Sequence, residues 1–174
     1  LGDQVFTEVY MDPPFMHHVM EICLEIGIRS HRWVKEAAGE RINECYHGNI
    51  MYTDAAGIRV CEDTTVLVGP DVIEDFCMPY TERLAREFGG AFVHYCGRND
   101  YLTKRVCGMP LIKGINFGHV PGKIEDQGRE RFEDTMKTCE ETATVYIGNW
   151  PAEDGESDTD YIERLHRWSA RGCI

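Results

Sequence analysis

The stretch FVHYCG, residues 92–97, places an imidazole and a thiol two positions apart at the end of an apolar run. Residues i and i+2 of an extended strand point to the same face, so His94 and Cys96 can reach one ion together. Imidazole nitrogen and thiolate sulfur are donors that zinc favours, with bonds of about 2.0–2.1 Å and about 2.3 Å. Taken alone, His-X-Cys also fits a buried strand that ends at water, and the pattern by itself leaves both readings open. Three further segments end on polar residues: Glu62 and Asp63, Asn116 and His119, Asn149 and Trp150.

The elements that must position these groups are legible from periodicity and punctuation. Pro13-Pro14 opens a helix in which Phe15, Val19, Ile22, Ile26 and Trp33 recur near a period of 3.6, a one-sided apolar stripe. Residues 39–57 are rich in turn formers, and 57–63 read as a short buried strand ending in acids. Residues 69–90 predict a helix: Pro70 and Asp71 suit its first turn, Gly89-Gly90 stop it, and Pro79 predicts a kink or break. Residues 91–95 are a second strand, 100–108 a short helix and 110–118 a third strand. Residues 122–139 read as a charged helix, 142–149 as a fourth strand, and 156–172 as a last helix capped by Ser157 or Asp158.

Strands therefore alternate with helices, and the strands are near-continuously apolar. That pattern predicts an α/β domain with parallel strands and crossover helices, either a βα-barrel or an open doubly wound sheet. In such folds the carboxyl ends of all strands share one face, where active sites form. The four polar strand ends would then meet at one mouth, although strand ends that reach water are polar in any case.

Composition narrows the function classes. The chain has 174 residues, enough for one domain over 1–174, and 43% are hydrophobic, enough for a packed core. Its net charge of -12 argues against nucleic acid and against an anionic membrane surface. No apolar run approaches the roughly 18 residues of a membrane span, and the first twelve residues do not resemble a signal peptide. The eight cysteines are scattered rather than set in a dense framework, which points to free thiols and a reducing, cytoplasmic setting. Cys107 and Cys139 read as packing residues.

MDPPFMHHVMEI, GIRVCEDTTVLVGPDVIEDFCMPYTERLA, FVHYCG and TATVYIGN occur in an order that resembles the uroporphyrinogen decarboxylase superfamily, from about Val9 to the end. The VHYCG element is similar to the branch of methylcobamide:thiol methyltransferases, such as the coenzyme M methyltransferases. The resemblance implies the C-terminal part of a TIM-type (βα)8 barrel, with about four complete strands present. A closed barrel needs eight, so the chain is expected to be a fragment, or to be completed by a second copy or another chain. It implies that His94 and Cys96 are zinc ligands and that Glu62 and Asp63 form the acidic strand end. Asp63-Thr64-Thr65 stands where that family carries a Trp-Gly-like turn. It also implies a second, later cysteine ligand. Cys173 directly follows a helix, which puts it at a strand's start and the opposite barrel end, so the third ligand is expected beyond Ile174.

The activity so implied is methyl transfer from a corrinoid (methylcobalamin), carried on a partner protein, to a small thiol. Such chemistry needs a thiolate, and an ordinary thiol near pKa 8.5 is mostly protonated at neutral pH. Zinc lowers that pKa, while Glu62 or Asp63 would orient a ligand or take the displaced proton. His119 and Asn149 are the candidate substrate contacts. His119 also fits a further ligand or a solvent-facing histidine. Two alternatives compete. One is a metal-free porphyrinogen-type decarboxylase, with Asp63 on pyrrole N–H groups and Arg98 and Lys104 near its acidic side chains. The other is a non-catalytic binding or assembly relative.

Overall fold

A computed structural model describes residues 1–47, 51–118, 129–147 and 152–173. His119 and Asn149, and most of the loop before the charged helix, lie outside the described residues. A 3₁₀ turn at Gly2–Gln4 leads into helix α1 (Val5–Met11), followed by the long helix α2 (Pro13–Ala38). The chain then forms β1 (Cys45–His47) and β2 (Met51–Thr53), β3 (Ile58–Cys61), α3 (Pro70–Val72) and α4 (Met78–Glu87). It continues through β4 (Ala91–Cys96), α5 (Asp100–Cys107), β5 (Ile112–Gly118), α6 (Arg129–Thr142), β6 (Val145–Tyr146) and α7 (Asp158–Ser169). The sheet order is β3-β4-β5-β6, with every neighbour parallel. This is the predicted alternation of parallel strands and helices, and it is compatible with part of an α/β barrel. Among the described residues no helix is long and apolar enough to cross a membrane.

Local chemistry explains the element ends. The Asp12 carboxylate accepts from the Phe15 N–H at 3.1 Å and caps α2, whose first turn holds both prolines. Gly39 ends that helix in the left-handed region at φ 73°. Asn99 caps α5 through the Leu102 N–H at 3.0 Å, and Ser157 caps α7 through the Asp160 N–H at 3.2 Å. The break expected at Pro79 takes a specific form. The helix widens into a π turn over Ile73–Cys77 and returns to α geometry at Met78. Pro79 offers no N–H to the ladder, and the widened turn absorbs that gap. The turn-rich region before β3 holds something the sequence reading missed, the antiparallel hairpin of β1 and β2.

Two packed faces flank the parallel sheet. Ile58, Val93, Tyr95, Ile115 and Tyr146 point to the helices, where they join Phe88, Leu102, Phe132 and Met136 in the main core. Residues in register share a face, so the opposite face carries Arg59 and Cys61, Phe92 and His94, Gly114 and Asn116. Phe92 packs there with Ala56 and Ile147.

The long helix corrects an expectation. Its stripe of Phe15, Ile22, Ile26 and Trp33 faces outward, with Ile26 62% and Trp33 74% exposed. The helix is buried instead along an adjacent row: Met16 and Leu24 are buried, Met20 lines a cavity, and Ile28 packs on the main core. Ion pairs of Glu21 with Arg83 and Arg32 with Glu87 dock the helix on α4 in this rotation. Leu24→Ala is therefore expected to cost about 2–5 kcal/mol. Ile26→Ala is expected to stay within about 0.5 kcal/mol. Urea denaturation of both variants measures this, and equal losses would mean that the outer stripe is covered.

Candidate metal centre

Asp63 lies two residues past the end of β3, and continuing the register that pairs Cys61 with His94 sets it beside Cys96. The Asp63 Oδ1 accepts the Cys96 backbone N–H at 2.6 Å. The same oxygen lies 3.8 Å from His94 Nε2, and Cys96 Sγ lies 3.5 Å from that nitrogen. Ligand atoms of the three residues all fall within 4.8 Å of one another. A tetrahedral ion with bonds of about 2.0–2.3 Å separates its ligand atoms by about 3.4–3.8 Å. The His94 contacts to Asp63 and Cys96 already match that spacing. Asp63 and Cys96 are exposed at the strand ends and His94 is half-buried.

Asn116, in register with His94 on β5, orients the imidazole. Its Oδ1 lies 2.5 Å from His94 Nδ1. With that nitrogen donating its proton, Nε2 keeps its lone pair towards Asp63 and Cys96, the arrangement in which a histidine binds metal. The sequence marked Asn116 only as one more polar residue at a strand end.

Electrostatics favour a cation among these groups. Partial burial, and then the Asp63 carboxylate beside it, push the Cys96 thiol above its ordinary pKa. Two donors that each gain negative charge repel one another, and a dication in the middle reverses that repulsion. Gly97, at φ 103°, turns the chain away immediately after the cysteine, a backbone state that L side chains rarely adopt.

Glu62 does not join the group. Strand alternation aims it at the helix side, where it is buried and accepts hydrogen bonds from the Thr65 and Thr81 hydroxyls. It borders a half-open pocket of about 430 Å³ between α1, α2, α4 and the β3 edge, otherwise largely apolar with Val9, Met16 and Phe76 in its wall. Burial raises the Glu62 pKa, the two hydroxyls oppose this, and the Asp63 charge adds to it. The folded chain thus holds this proton to higher pH than the unfolded chain does. Stability falls as pH rises from the unfolded carboxylate value, about 4.3, through the higher folded one. Glu62→Gln is expected to be at least as stable as the parent at pH 7, and the difference should vanish below pH 4. Denaturation at both pH values checks this, and a Gln variant much weaker at pH 7 would contradict it.

The other candidates separate clearly. The Cys173 carbonyl accepts from the Tyr146 N–H at 2.7 Å, on the β6 edge away from β5. That is three strand positions from β4, about 14 Å. The Cys173 thiol is buried and lies 3.8 Å from the Arg171 carbonyl oxygen. Cys107 and Cys139 are buried in the main core. Arg98 pairs with Asp100 at 3.0 Å, and Lys104 borders a polar cleft between α5 and α6. Among the described residues no disulfide forms. Comparison with models of protein families, with curated proteins and with solved structures finds no match to this chain.

Proposed function

We propose that Asp63, His94 and Cys96 hold a zinc ion and that the chain belongs to a methyltransferase. The reaction moves a methyl group from a corrinoid on a partner protein to a small thiol. The observation that carries this reading is the convergence of a carboxylate, an imidazole and a thiol at adjacent parallel strand ends. A nitrogen, a sulfur and an oxygen donor suit zinc, and three protein ligands leave a fourth position for an incoming sulfur. Bound zinc would act as a Lewis acid that lowers the pKa of a thiol at that position. Cys96 and His94 supply the softer donors. Asn116 fixes the imidazole, and Asp63 holds the Cys96 backbone while presenting a carboxylate oxygen. The exposed side of Asp63 and Cys96 leaves room for substrate and for a corrinoid carrier.

The same proposal covers a partial TIM-type barrel of the uroporphyrinogen decarboxylase kind and a reducing, cytoplasmic setting. Elemental analysis of the purified chain tests the metal, and methyl transfer from methylcobalamin to a panel of thiols tests the reaction. Zinc near one per chain with thiol methylation is expected; a chain that neither holds nor takes up zinc would sink the reading. Asn116→Ala is expected to weaken zinc binding about 10–100-fold with little change in fold, measured by competition with a chromophoric chelator.

A further inference from the structure

The outward row of α2 stays uncovered along the helix. Phe15 and Ile22 are exposed, Ile26 and Trp33 more so, and Val19 among them is half-buried. The helix runs for 26 residues, about 39 Å at 1.5 Å per residue. An exposed apolar strip of that length marks an interaction surface.

The strip has an internal symmetry. Phe15, Val19, Ile22, Ile26, Arg29 and Trp33 follow one another in alternate steps of four and three, the spacing of a two-helix seam. The same six are arranged evenly about Leu24, which is buried on the opposite side of the helix. Phe15 and Trp33 lie nine positions from it, Val19 and Arg29 five, Ile22 and Ile26 two. Turning the helix end for end therefore lays the seam on itself: Phe15 meets Trp33, Val19 meets Arg29 and Ile22 meets Ile26. A contact about a two-fold axis requires such self-complementarity.

Charge selects the same orientation. A chain of net charge -12 repels its own copies, so a face that self-associates must bring opposite charges together. Before its midpoint the helix carries Asp12 and Glu21; after it, Arg29, Arg32 and Lys35 outweigh Glu36. Glu25, next to the centre, pairs with Arg29 of its own helix. Antiparallel packing sets each acidic half against a basic half and opposes the two helix dipoles, whereas parallel packing aligns like with like. Arg29, the one polar member of the seam, fixes the register at some cost in affinity.

We propose that the outer face of α2 docks on the same face of a second copy, antiparallel about a two-fold axis at Leu24, so that the chain forms a homodimer. The contact belongs to the helix layer and does not rest on the metal centre. The small cost expected of Ile26→Ala belongs to the dilute, dissociated chain; where the dimer forms, stability towards urea depends on protein concentration.

Sedimentation equilibrium of the whole chain over a concentration series tests this. The parent is expected to approach twice the chain mass. Ile26→Glu, which would bury a charge in the seam, should weaken dimerisation about a hundredfold or more with helical content unchanged. Mixing Phe15→Glu with Trp33→Lys reads the orientation. Each variant alone should lose affinity, and the mixture should form heterodimers about tenfold tighter than either homodimer, because only antiparallel packing sets the two new charges together. A parent that stays monomeric, which would leave this face to a different protein, overturns the proposal. So does a dimer that Ile26→Glu leaves intact, or a mixture with no preference for the heterodimer. Should Ile26→Glu fail to fold, the mixture still decides. The urea midpoint of the parent should also rise with protein concentration, and a midpoint independent of concentration counts against the dimer.

Discussion

Replacing Cys96 with serine is expected to lower zinc affinity by at least about a hundredfold, the upper end of what loss of even a supporting residue costs. The hydroxyl is nearly isosteric but does not ionise near neutral pH, so the soft anionic donor is gone. The fold should survive. Cys96 is exposed at the end of β4, and the Asp63 bond goes to its backbone N–H, which serine retains. His94→Ala should lose metal in the same way while freeing Asn116 from its ring contact. The pH dependence gives an independent signature. The Cys96 thiol is held above its ordinary pKa, so it carries its proton at neutral pH and must release it when metal binds. Affinity should therefore rise about tenfold per pH unit through the neutral range, and the slope should flatten in Cys96→Ser. Chelator competition at several pH values measures both quantities. Unchanged zinc affinity in the serine variant would falsify the ligand assignment, and a collapse of helical content would make the pair structural instead.

Gly57→Ala is expected to be the most damaging single methyl addition among the described residues, costing about 3 kcal/mol or more. A Cβ at this position would press into the backbone carbonyl oxygens of Ile42 and Phe88 at once. Neither oxygen belongs to a side chain that can rotate away. The Gly57 N–H also donates to the Gly90 carbonyl at 2.9 Å, which ties the start of β3 to the start of β4. Shifting this junction would disturb the register that sets Asp63 beside Cys96. Urea denaturation should show the loss, and the zinc affinity of the surviving folded protein should fall with it. Gly114→Ala offers a contrast. Its Cβ would meet the side chain of Ile147 first, which can repack, so the loss there is expected to be smaller. Equal costs at the two sites would mean that the β3 junction yields more readily than its geometry implies.

Much of this architecture could be read from local signals. Apolar runs bounded by Gly and Pro marked the parallel strands, and Pro13-Pro14, Pro70 and the Ser157 cap marked helix starts, because those signals act within a few residues. Alternation along β4 was enough to put His94 and Cys96 on one face. The β1–β2 hairpin was not legible, since three-residue strands carry too little periodicity to stand out from turns.

By itself, then, the sequence determined the order of the parallel strands and the helices between them and put His94 and Cys96 on one face, both of which depend on neighbours in the chain. Tertiary structure alone decided which acid joins them. Glu62 and Asp63 are adjacent and chemically alike, and only the register of β3 against β4 turns Asp63 to the side of His94 and Cys96 and Glu62 to the helices. Tertiary structure also chose between two apolar rows on the long helix, burying Met16 and Leu24 and leaving Ile26 and Trp33 outside. Each row satisfies helical periodicity, so the choice falls to the partner: the charges and shape of α4, which local sequence does not contain.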